Sequence, residues 1–186
     1  MNVEYECTCL EINKEELIKK LEEMGAKREG DFFQKRYVYD FNPKIPNKWI
    51  RLRTNGVKST LTIKNVLDKN SIGGTLELEI EVSDFEKTNL ILEELGYHHR
   101  NYQENKRTTY SLDGVNFDID SWPFIPTYVE IEGYNEEIVK EMITRLNLDN
   151  EKITNYDVTS IYEEIYNIDI LSIKDLHFEE NLTSKK

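Results

Sequence analysis

The sequence predicts an α+β protein built around a closed antiparallel β-sheet. Three observations favour this fold. Apolar and polar residues alternate with a period of two over much of the chain, which is typical of strands. Segments with helical spacing separate blocks of strands, which fits an α+β fold better than a parallel doubly wound sheet. Like charges recur at i, i+2 on one face of several strands, which indicates that these faces share one enclosed surface.

The first half of the chain predicts a strand, a helix and four more strands. Residues 2–12 alternate and predict the first strand. Asn13 is expected to cap a helix that starts at residue 14, carries apolar residues at helical spacing and ends at Gly25. Runs rich in aromatic and β-branched residues then predict strands at 32–41, 49–54, 59–66 and 75–82.

The second half predicts a second helix that begins near residue 85 and ends at Gly96. Strands at 106–112, 115–120 and 127–132 follow, and then a third helix near 135–147. Residues 149–155 are polar and resemble a linker, whereas residues 156–178 regain apolar periodicity. We therefore expect a main domain over residues 1–148 and an extension over 149–186. This extension is expected to be helical and docked on the core, with residues 180–186 frayed.

The composition excludes several classes of protein. The 186 residues, 38% of them hydrophobic, are enough for one domain with a sizeable core. The net charge of −12 argues against a broad nucleic-acid surface. No apolar run approaches the ~18 residues that a membrane span needs, and the N-terminus lacks the layout of a signal peptide. We therefore expect a cytoplasmic protein without a nucleic-acid partner or a membrane segment.

The two cysteines lie two positions apart on one face of the first strand. A zinc site needs more soft ligands than Cys7 and Cys9 provide, and the three histidines show no companion spacing. A strained disulfide is the other alternative. We expect buried, inert thiols.

The charged strand faces carry the functional argument. Same-sign pairs occur at Glu4/Glu6, Arg51/Arg53, Glu77/Glu79/Glu81, Asp118/Asp120 and Glu130/Glu132, with Lys64 and Lys106/Arg107 on further strands. If the apolar faces, including Leu76, Leu78 and Ile80, pack outward against helices, the charged faces line an interior. Arginine and lysine neutralise phosphate oxygens, and carboxylates hold Mg²⁺ or Mn²⁺. The pattern therefore predicts a tunnel for a polyanion with metal ions.

At these residues the sequence resembles the CYTH superfamily, the triphosphate tunnel metalloenzymes. The set comprises Glu4-x-Glu6, RLR at 51–53, LTIK ending at Lys64, ELE at 77–79, KR at 106–107 and VEIEG at 129–133. The resemblance covers about residues 1–148 and implies an eight-stranded antiparallel tunnel. Members include class IV adenylyl cyclases and thiamine, inorganic and RNA triphosphatases. The segment DSWPFIPTYVEIEG resembles bacterial members, and the abundance of Ile, Asn, Lys, Glu and Tyr fits a low-GC bacterial source.

The resemblance also implies roles for individual residues. By position, Arg51, Arg53, Lys64 and Arg107 resemble the residues that grip the triphosphate during catalysis, with Lys106 as a further phosphate ligand. Glu4, Glu6, Glu130 and Glu132 resemble metal-binding carboxylates. Glu77 and Glu79 lie on the facing strand, and Asp118 and Asp120 lie where the family has an acidic residue near the metal.

One position departs from the family. The opening signature is Glu-x-Glu-x-Lys, and its last position is Thr8 in this chain. In the family that lysine contacts phosphate or helps to activate the attacking water, whereas threonine brings no positive charge and is a poor base near pH 7. Lys35, Arg36 and Tyr37 are the candidates to replace it. Triphosphate binding survives this change more easily than fast hydrolysis does.

The predicted function is therefore divalent-metal-dependent chemistry on a triphosphate such as ATP, thiamine triphosphate or tripolyphosphate. Hydrolysis and cyclisation of ATP to cyclic AMP and pyrophosphate both remain open, and a binding tunnel without turnover is the alternative. Trp49 or Trp122 could stack on an organic group, although a rim or core position explains a tryptophan equally well. A homodimer formed through barrel edges or the C-terminal segment is compatible with the sequence.

Overall fold

The computed structural model describes residues 1–178, and the expected frayed end at 180–186 lies outside them. Eight strands form the barrel: β1 (Asn2–Cys9), β2 (Lys27–Asp40), β3 (Lys48–Thr54), β4 (Ser59–Val66), β5 (Thr75–Val82), β6 (His99–Leu112), β7 (Val115–Ser121) and β8 (Tyr128–Gly133). The flanking helices are α1 (Lys14–Glu23), α2 (Phe85–Glu94), α3 (Glu136–Arg145) and the short α4 (Val158–Ser160), which continues as a wider π-helical turn over Ile161–Ile165.

The sheet closes on itself, as the sequence predicted. Its strand order is β6-β2-β3-β4-β5-β1-β8-β7, and β7 pairs with β6 to complete the barrel. Each of these neighbouring pairs is antiparallel. Two short strands, β9 (Ile153–Thr154) and β10 (Asp175–Leu176), extend the sheet by pairing with β1 and β6.

The strand bounds differ from the prediction by more than one residue in three places. β1 ends at Cys9 rather than at residue 12, and β2 begins at Lys27 rather than at residue 32. β6 begins at His99, seven residues before the predicted start. In β6 the buried Gln103 and Asn105 alternate with Tyr102 and Glu104, so both faces of this stretch are polar and no apolar period marks the strand.

Two helical layers cover much of the outer barrel surface. Leu17 and Leu21 of α1 and Val139 and Met142 of α3 pack in one cluster with the outer faces of β1, β7 and β8. On the other side, Phe85 and Leu92 of α2 cover β2 and β3. The Asn13 side chain accepts hydrogen bonds from Glu15 N and Glu16 N, which confirms the predicted cap.

Cys7 and Cys9 belong to the first of these clusters. Both are buried and free, as expected from the sequence. Burial raises the pKa of the Cys7 thiol to about 12, so it stays protonated and unreactive at neutral pH.

The expectation of a helix-covered outer face is wrong for β5. Leu78 is 50% exposed and Ile80 is 56% exposed, although Ile50 and Leu52 on β3 are buried as expected. The reason is geometric: the cluster formed by α2 covers parts of β2, β3 and β4 and includes β5 only at Val82, its last residue.

The C-terminal segment, residues 149–178, crosses the end of the barrel at which β1, β4 and β7 end. Asn155 Nδ2 donates to Asn70 O in the loop after β4, and Tyr162 OH donates to Pro123 O just after β7. Tyr162, Ile161 and Ile170 form a buried cluster with Trp122 and Tyr128. The division of the chain at residue 148 stays a prediction. None of the helices in residues 1–178 is both long and apolar enough to span a membrane.

Candidate functional site

The barrel encloses a cavity of about 330 Å³. Because alternate side chains on a strand share one face, most of the charged alternating positions line this cavity. Glu81 does not line it, since it is exposed and pairs with Lys58. The basic lining residues are Arg36, Arg51, Arg53, Lys64, Arg100 and Arg107, and the acidic ones are Glu4, Glu6, Glu77, Glu79, Asp118, Glu130, Glu132 and Asp157. The predicted concentration of both charge signs inside the tunnel is therefore present.

Arg51 and Arg53 project from β3 toward β5. Arg51 Nη2 lies 3.0 Å from Glu77 Oε1 and 3.6 Å from Glu79 Oε2, while Arg53 Nη2 lies 3.9 Å from Glu79. The nearby Arg51 charge and burial lower the pKa of Arg53 to about 10. Thr62 donates to Glu79 Oε2 at 2.7 Å and helps to keep that carboxylate ionised. The two arginines are thus only partly neutralised by the opposite strand.

Lys64 is the cation nearest the N-terminal acidic pair. Its Nζ lies 2.8 Å from Glu4 Oε2 and 3.7 Å from Glu6 Oε1. Burial lowers the pKa of Lys64, but Glu6 and Glu4 outweigh that effect and raise it to about 12. Burial raises the pKa of Glu4 and of Glu6 to about 7 even against the Lys64 charge. One ammonium therefore does not fully compensate two buried carboxylates.

Arg107 is held by three carboxylates. It makes a two-pronged ion pair with Asp120, reaches Asp118 Oδ2 at 2.6 Å and reaches Glu130 Oε2 at 2.5 Å. Burial lowers the pKa of Arg107, but these carboxylates raise it well above its ordinary value. Burial raises the pKa of Asp120, which is fully enclosed, to about 6. In this arrangement the single charge of Arg107 offsets only part of the negative charge that β7 and β8 place in the tunnel.

The acidic side chains form cross-strand neighbours around the tunnel. Glu6 pairs in register with Glu132, and Glu130 pairs with Asp118. Within residues 1–178 no three Asp, Glu, His or Cys side chains form a ready-made metal cluster, since the basic residues separate them. The donor set nevertheless fits a hard divalent cation, because carboxylate oxygens are its preferred ligands. Glu4 Oε2 is buried and lies 2.8 Å from Lys64 Nζ, so a cation bound there would share this oxygen with the ammonium group.

The structure does not bring Lys106 into the tunnel. It is exposed on the outer face of β6, and its Nζ lies 4.5 Å from the centre of the Phe178 ring. The reason is the alternation of the strand: Arg107 points inward, so the neighbouring side chain points out. The other predicted site residues all line the cavity or, in the case of Asp120, contact a residue that does.

Thr8 lies inside the tunnel, together with one of the three residues that could replace the signature lysine. Thr8 is buried and lines the cavity, directly across from Glu130. Lys35 is exposed on the outside of β2, and Tyr37 packs outside against Phe85, His99 and Tyr102. Of the three candidates, Arg36 is the one inside the tunnel.

Several lining residues were not identified from the sequence. Gln103 follows the same i, i+2 alternation that leads to Arg107, so extending that period backwards would have found it. The segment 155–159 lines the cavity because it folds over the barrel end, which no local pattern signals. Trp49 also lines the cavity, whereas Trp122 is buried with the Arg36 guanidinium 4.5 Å from its ring centre.

Comparisons with known proteins agree with this architecture. The family model described as the CYTH domain matches residues 2–161. The structure of PH1012 from Pyrococcus horikoshii OT3 is 28% identical with a TM-score of 0.72, covering 83% of this chain and 96% of that one. An adenylate cyclase-like protein from Vibrio parahaemolyticus is 12% identical with a TM-score of 0.73, covering 89% and 98%.

A further similar structure is HpAC1 from Hippeastrum, an adenylyl cyclase-like protein described as having a dominant triphosphatase activity. It is 14% identical with a TM-score of 0.58, and the match covers 90% of this chain and 97% of that one. At these identities the Vibrio and Hippeastrum proteins show a shared fold. No curated protein matches the sequence.

Proposed function

The chain belongs to the CYTH domain family, and from this premise we propose that it is a divalent-metal-dependent enzyme that hydrolyses a triphosphate. The observation that carries the proposal is the convergence of Arg51, Arg53 and Lys64 inside a closed barrel that also holds incompletely neutralised carboxylates. Buried cations beside hard oxygen ligands suit a polyanion that arrives with Mg²⁺ or Mn²⁺.

The acidic side would hold the metal. Glu4, Glu6 and Glu132 are the cavity-lining carboxylates whose pKa values are raised to about 7, so they gain most from a nearby divalent charge. Glu130 and Asp118 would join them if Arg107 moved toward a phosphate. When bound, the ion would neutralise phosphate oxygens and make the phosphorus more electrophilic.

The basic side would bind the phosphates. Arg51 and Arg53 offer planar forks that match phosphate oxygens, and Lys64 offers a compact charge between them and the acidic pair. As water attacks the terminal phosphorus and its bond to the leaving diphosphate breaks, charge builds on the bridging and terminal oxygens and phosphate is released. Fixed cations in an enclosed barrel stabilise that charge more strongly than the same groups would in bulk water.

Hydrolysis is favoured over cyclisation because of what lines the cavity. About 330 Å³ is at the low end for small-molecule sites, and the lining is mainly charged. Cyclisation requires a ribose and base to be held in addition to the phosphates, and Trp49 and Tyr156 are the aromatic side chains available in the described lining. We therefore rank tripolyphosphate above thiamine triphosphate and ATP as the substrate.

A binding tunnel without turnover is the second candidate, and Thr8 is the observation that favours it. The Thr8 hydroxyl lies in the tunnel without bringing a charge to the position opposite Glu130. Such a tunnel would bind the same triphosphates and release no product.

The test is one assay of the purified protein with Mg²⁺ or Mn²⁺ against tripolyphosphate, thiamine triphosphate and ATP, resolving phosphate, pyrophosphate and cyclic AMP. We expect phosphate release that Arg53→Ala abolishes and that the surface variant Arg28→Ala preserves. Pyrophosphate with cyclic AMP would establish cyclisation instead. Thermal stabilisation by triphosphate that Arg53→Ala loses, with no product, would establish the binding tunnel. If the protein forms no product and triphosphate does not stabilise it, the proposal is refuted.

A further inference from the structure

Arg36 is a buried cation without a negatively charged partner. It is 5% exposed and lines the cavity from β2. No carboxylate of residues 1–178 lies within ion-pair distance of its guanidinium, whereas Arg51, Lys64 and Arg107 each have at least two such partners. Burying a charge is unfavourable unless it is paired. An unpaired arginine at this position therefore needs a further explanation.

Neutral groups hold Arg36 in one orientation. Its Nη2 donates to Gln34 Oε1 at 2.9 Å and to Asn105 Oδ1, and the guanidinium stacks over the Trp122 ring. Asn105 is itself fixed, because its Nδ2 donates to Asp120 Oδ1 at 2.9 Å. These contacts position the Arg36 guanidinium without neutralising its charge. Arg36 Nε is buried and has no hydrogen-bond partner, so the guanidinium also has an unsatisfied donor.

The surroundings of Arg36 are electrostatically unfavourable for a cation until an anion arrives. It lies in register with Arg53 on the neighbouring strand. Burial and the charges of Arg51, Arg53 and Arg107 lower its pKa to about 9. A bound anion would relieve both the desolvation and the repulsion among these arginines, so the free energy gained on binding is larger than at an exposed arginine.

We propose that Arg36 binds a phosphate group of the triphosphate directly, together with Arg51 and Arg53. The inference rests on the proposed triphosphate ligand and names an additional residue that contacts it. Arg36 also contributes positive charge near Glu130, the residue directly across from Thr8. It therefore supplies a charge on this side of the tunnel that Thr8 lacks.

The experiment measures tripolyphosphate affinity by calorimetry in Mg²⁺, alongside melting temperatures without ligand. The variants are Arg36→Met, which keeps an extended chain over Trp122 but removes the charge, and Arg36→Lys, which keeps the charge but not the fork. Lys35→Met is the matched control, because it removes the neighbouring charge on the exposed face of the same strand.

We expect Arg36→Met to weaken tripolyphosphate binding by about tenfold or more, which is the loss expected for one charge-assisted hydrogen bond. Arg36→Lys should give an intermediate affinity, and Lys35→Met the wild-type affinity. Arg36→Met loses the hydrogen bonds to Gln34 and Asn105 but also removes an unpaired buried charge, so its melting temperature should stay close to that of the wild type.

Wild-type affinity in Arg36→Met would overturn the inference while leaving the proposed function intact. A lower melting temperature or failure to fold would also overturn it, since Arg36 would then serve the structure. If the wild type binds none of tripolyphosphate, thiamine triphosphate and ATP, the proposed function fails, and this inference fails with it.

Discussion

Glu6 and Glu132 lie directly opposite each other on β1 and β8, and both side chains line the tunnel. Burial and the neighbouring carboxylates raise the pKa of each group to about 7, despite the opposing charge of Lys64. Like charges that face each other across a strand pair destabilise the sheet. This pair therefore gives the tunnel a dependence on pH and on divalent cations that can be measured without any substrate.

The first prediction concerns that dependence. Because the folded-state pKa values exceed the ordinary carboxyl value of 4.5, the folded protein binds more protons than the unfolded chain between about pH 4.5 and 7. Stability is therefore lost as the pH rises through this window. In the presence of a chelator we expect a lower melting temperature at about pH 8 than at about pH 6. Mg²⁺ should reduce the difference.

The control is Glu132→Gln, which removes one member of the pair. It should flatten the change of melting temperature with pH and weaken the stabilisation by Mg²⁺. If scanning calorimetry shows that the melting temperature of this variant changes with pH as much as that of the wild type, the Glu6–Glu132 pair is not the source of the pH dependence.

The second prediction concerns Arg107, whose guanidinium forms ion pairs with Asp118, Asp120 and Glu130. Arg107→Ala leaves three enclosed carboxylates without their cation, so we expect a loss of about 3–5 kcal/mol in the free energy of unfolding. Arg145→Ala is the comparison, since Arg145 pairs with Asp113 and Glu141 at the surface and should cost less than about 1 kcal/mol. If urea unfolding gives equal losses of unfolding free energy for the two variants, the buried ion pairs of Arg107 do not stabilise the fold as proposed.

The strand alternation explains why much of this site was predictable. A period of two assigns Arg51 and Arg53 to one face, and the same holds for Glu4/Glu6 and Glu77/Glu79 once the charged faces are taken as the interior. Lys106 was misplaced because two adjacent basic residues cannot both face inward, and the motif alone does not say which one does. Lys35 and Arg36 are also adjacent basic residues, and the sequence alone does not say which of the two faces inward.

Other features depend on tertiary structure. The amphipathic pattern of β5 predicts an apolar outer face but not that a helix covers it, and Leu78 and Ile80 are exposed because α2 lies over other strands. The contribution of residues 155–159 to the cavity arises from chain reversal after α3. Such long-range placement is set by packing against Trp122 and Tyr128 and leaves no local sequence period.

The third prediction concerns how the C-terminal segment is anchored. Tyr162 is fully buried, packs edge-on against Trp122 and donates to Pro123 O at 2.6 Å. Tyr162→Phe removes the hydrogen bond and should cost about 1 kcal/mol, and Tyr162→Ala also empties the site and should cost about 3–5 kcal/mol. Tyr134→Ala, at an exposed tyrosine, serves as the control. Protease cleavage within residues 150–178 should accelerate in Tyr162→Ala, and unchanged cleavage would count against docking through Tyr162.

The last prediction couples position 8 to position 36. Thr8 lies across from Glu130, and the Arg36 charge also acts on Glu130, so a lysine at position 8 and the arginine at position 36 would supply charge to the same part of the tunnel. Neighbouring groups that share a partner have non-additive effects. We expect Thr8→Lys to change tripolyphosphate hydrolysis by less than about threefold in the wild type. In the Arg36→Met background it should raise hydrolysis by about tenfold, because fixed charge at the site is then scarce.

Thr8→Val, which is similar in shape and uncharged, should give no gain in either background. Equal gains from Thr8→Lys in both backgrounds would show that the two positions act independently, and that Arg36 does not take the place of a lysine at position 8.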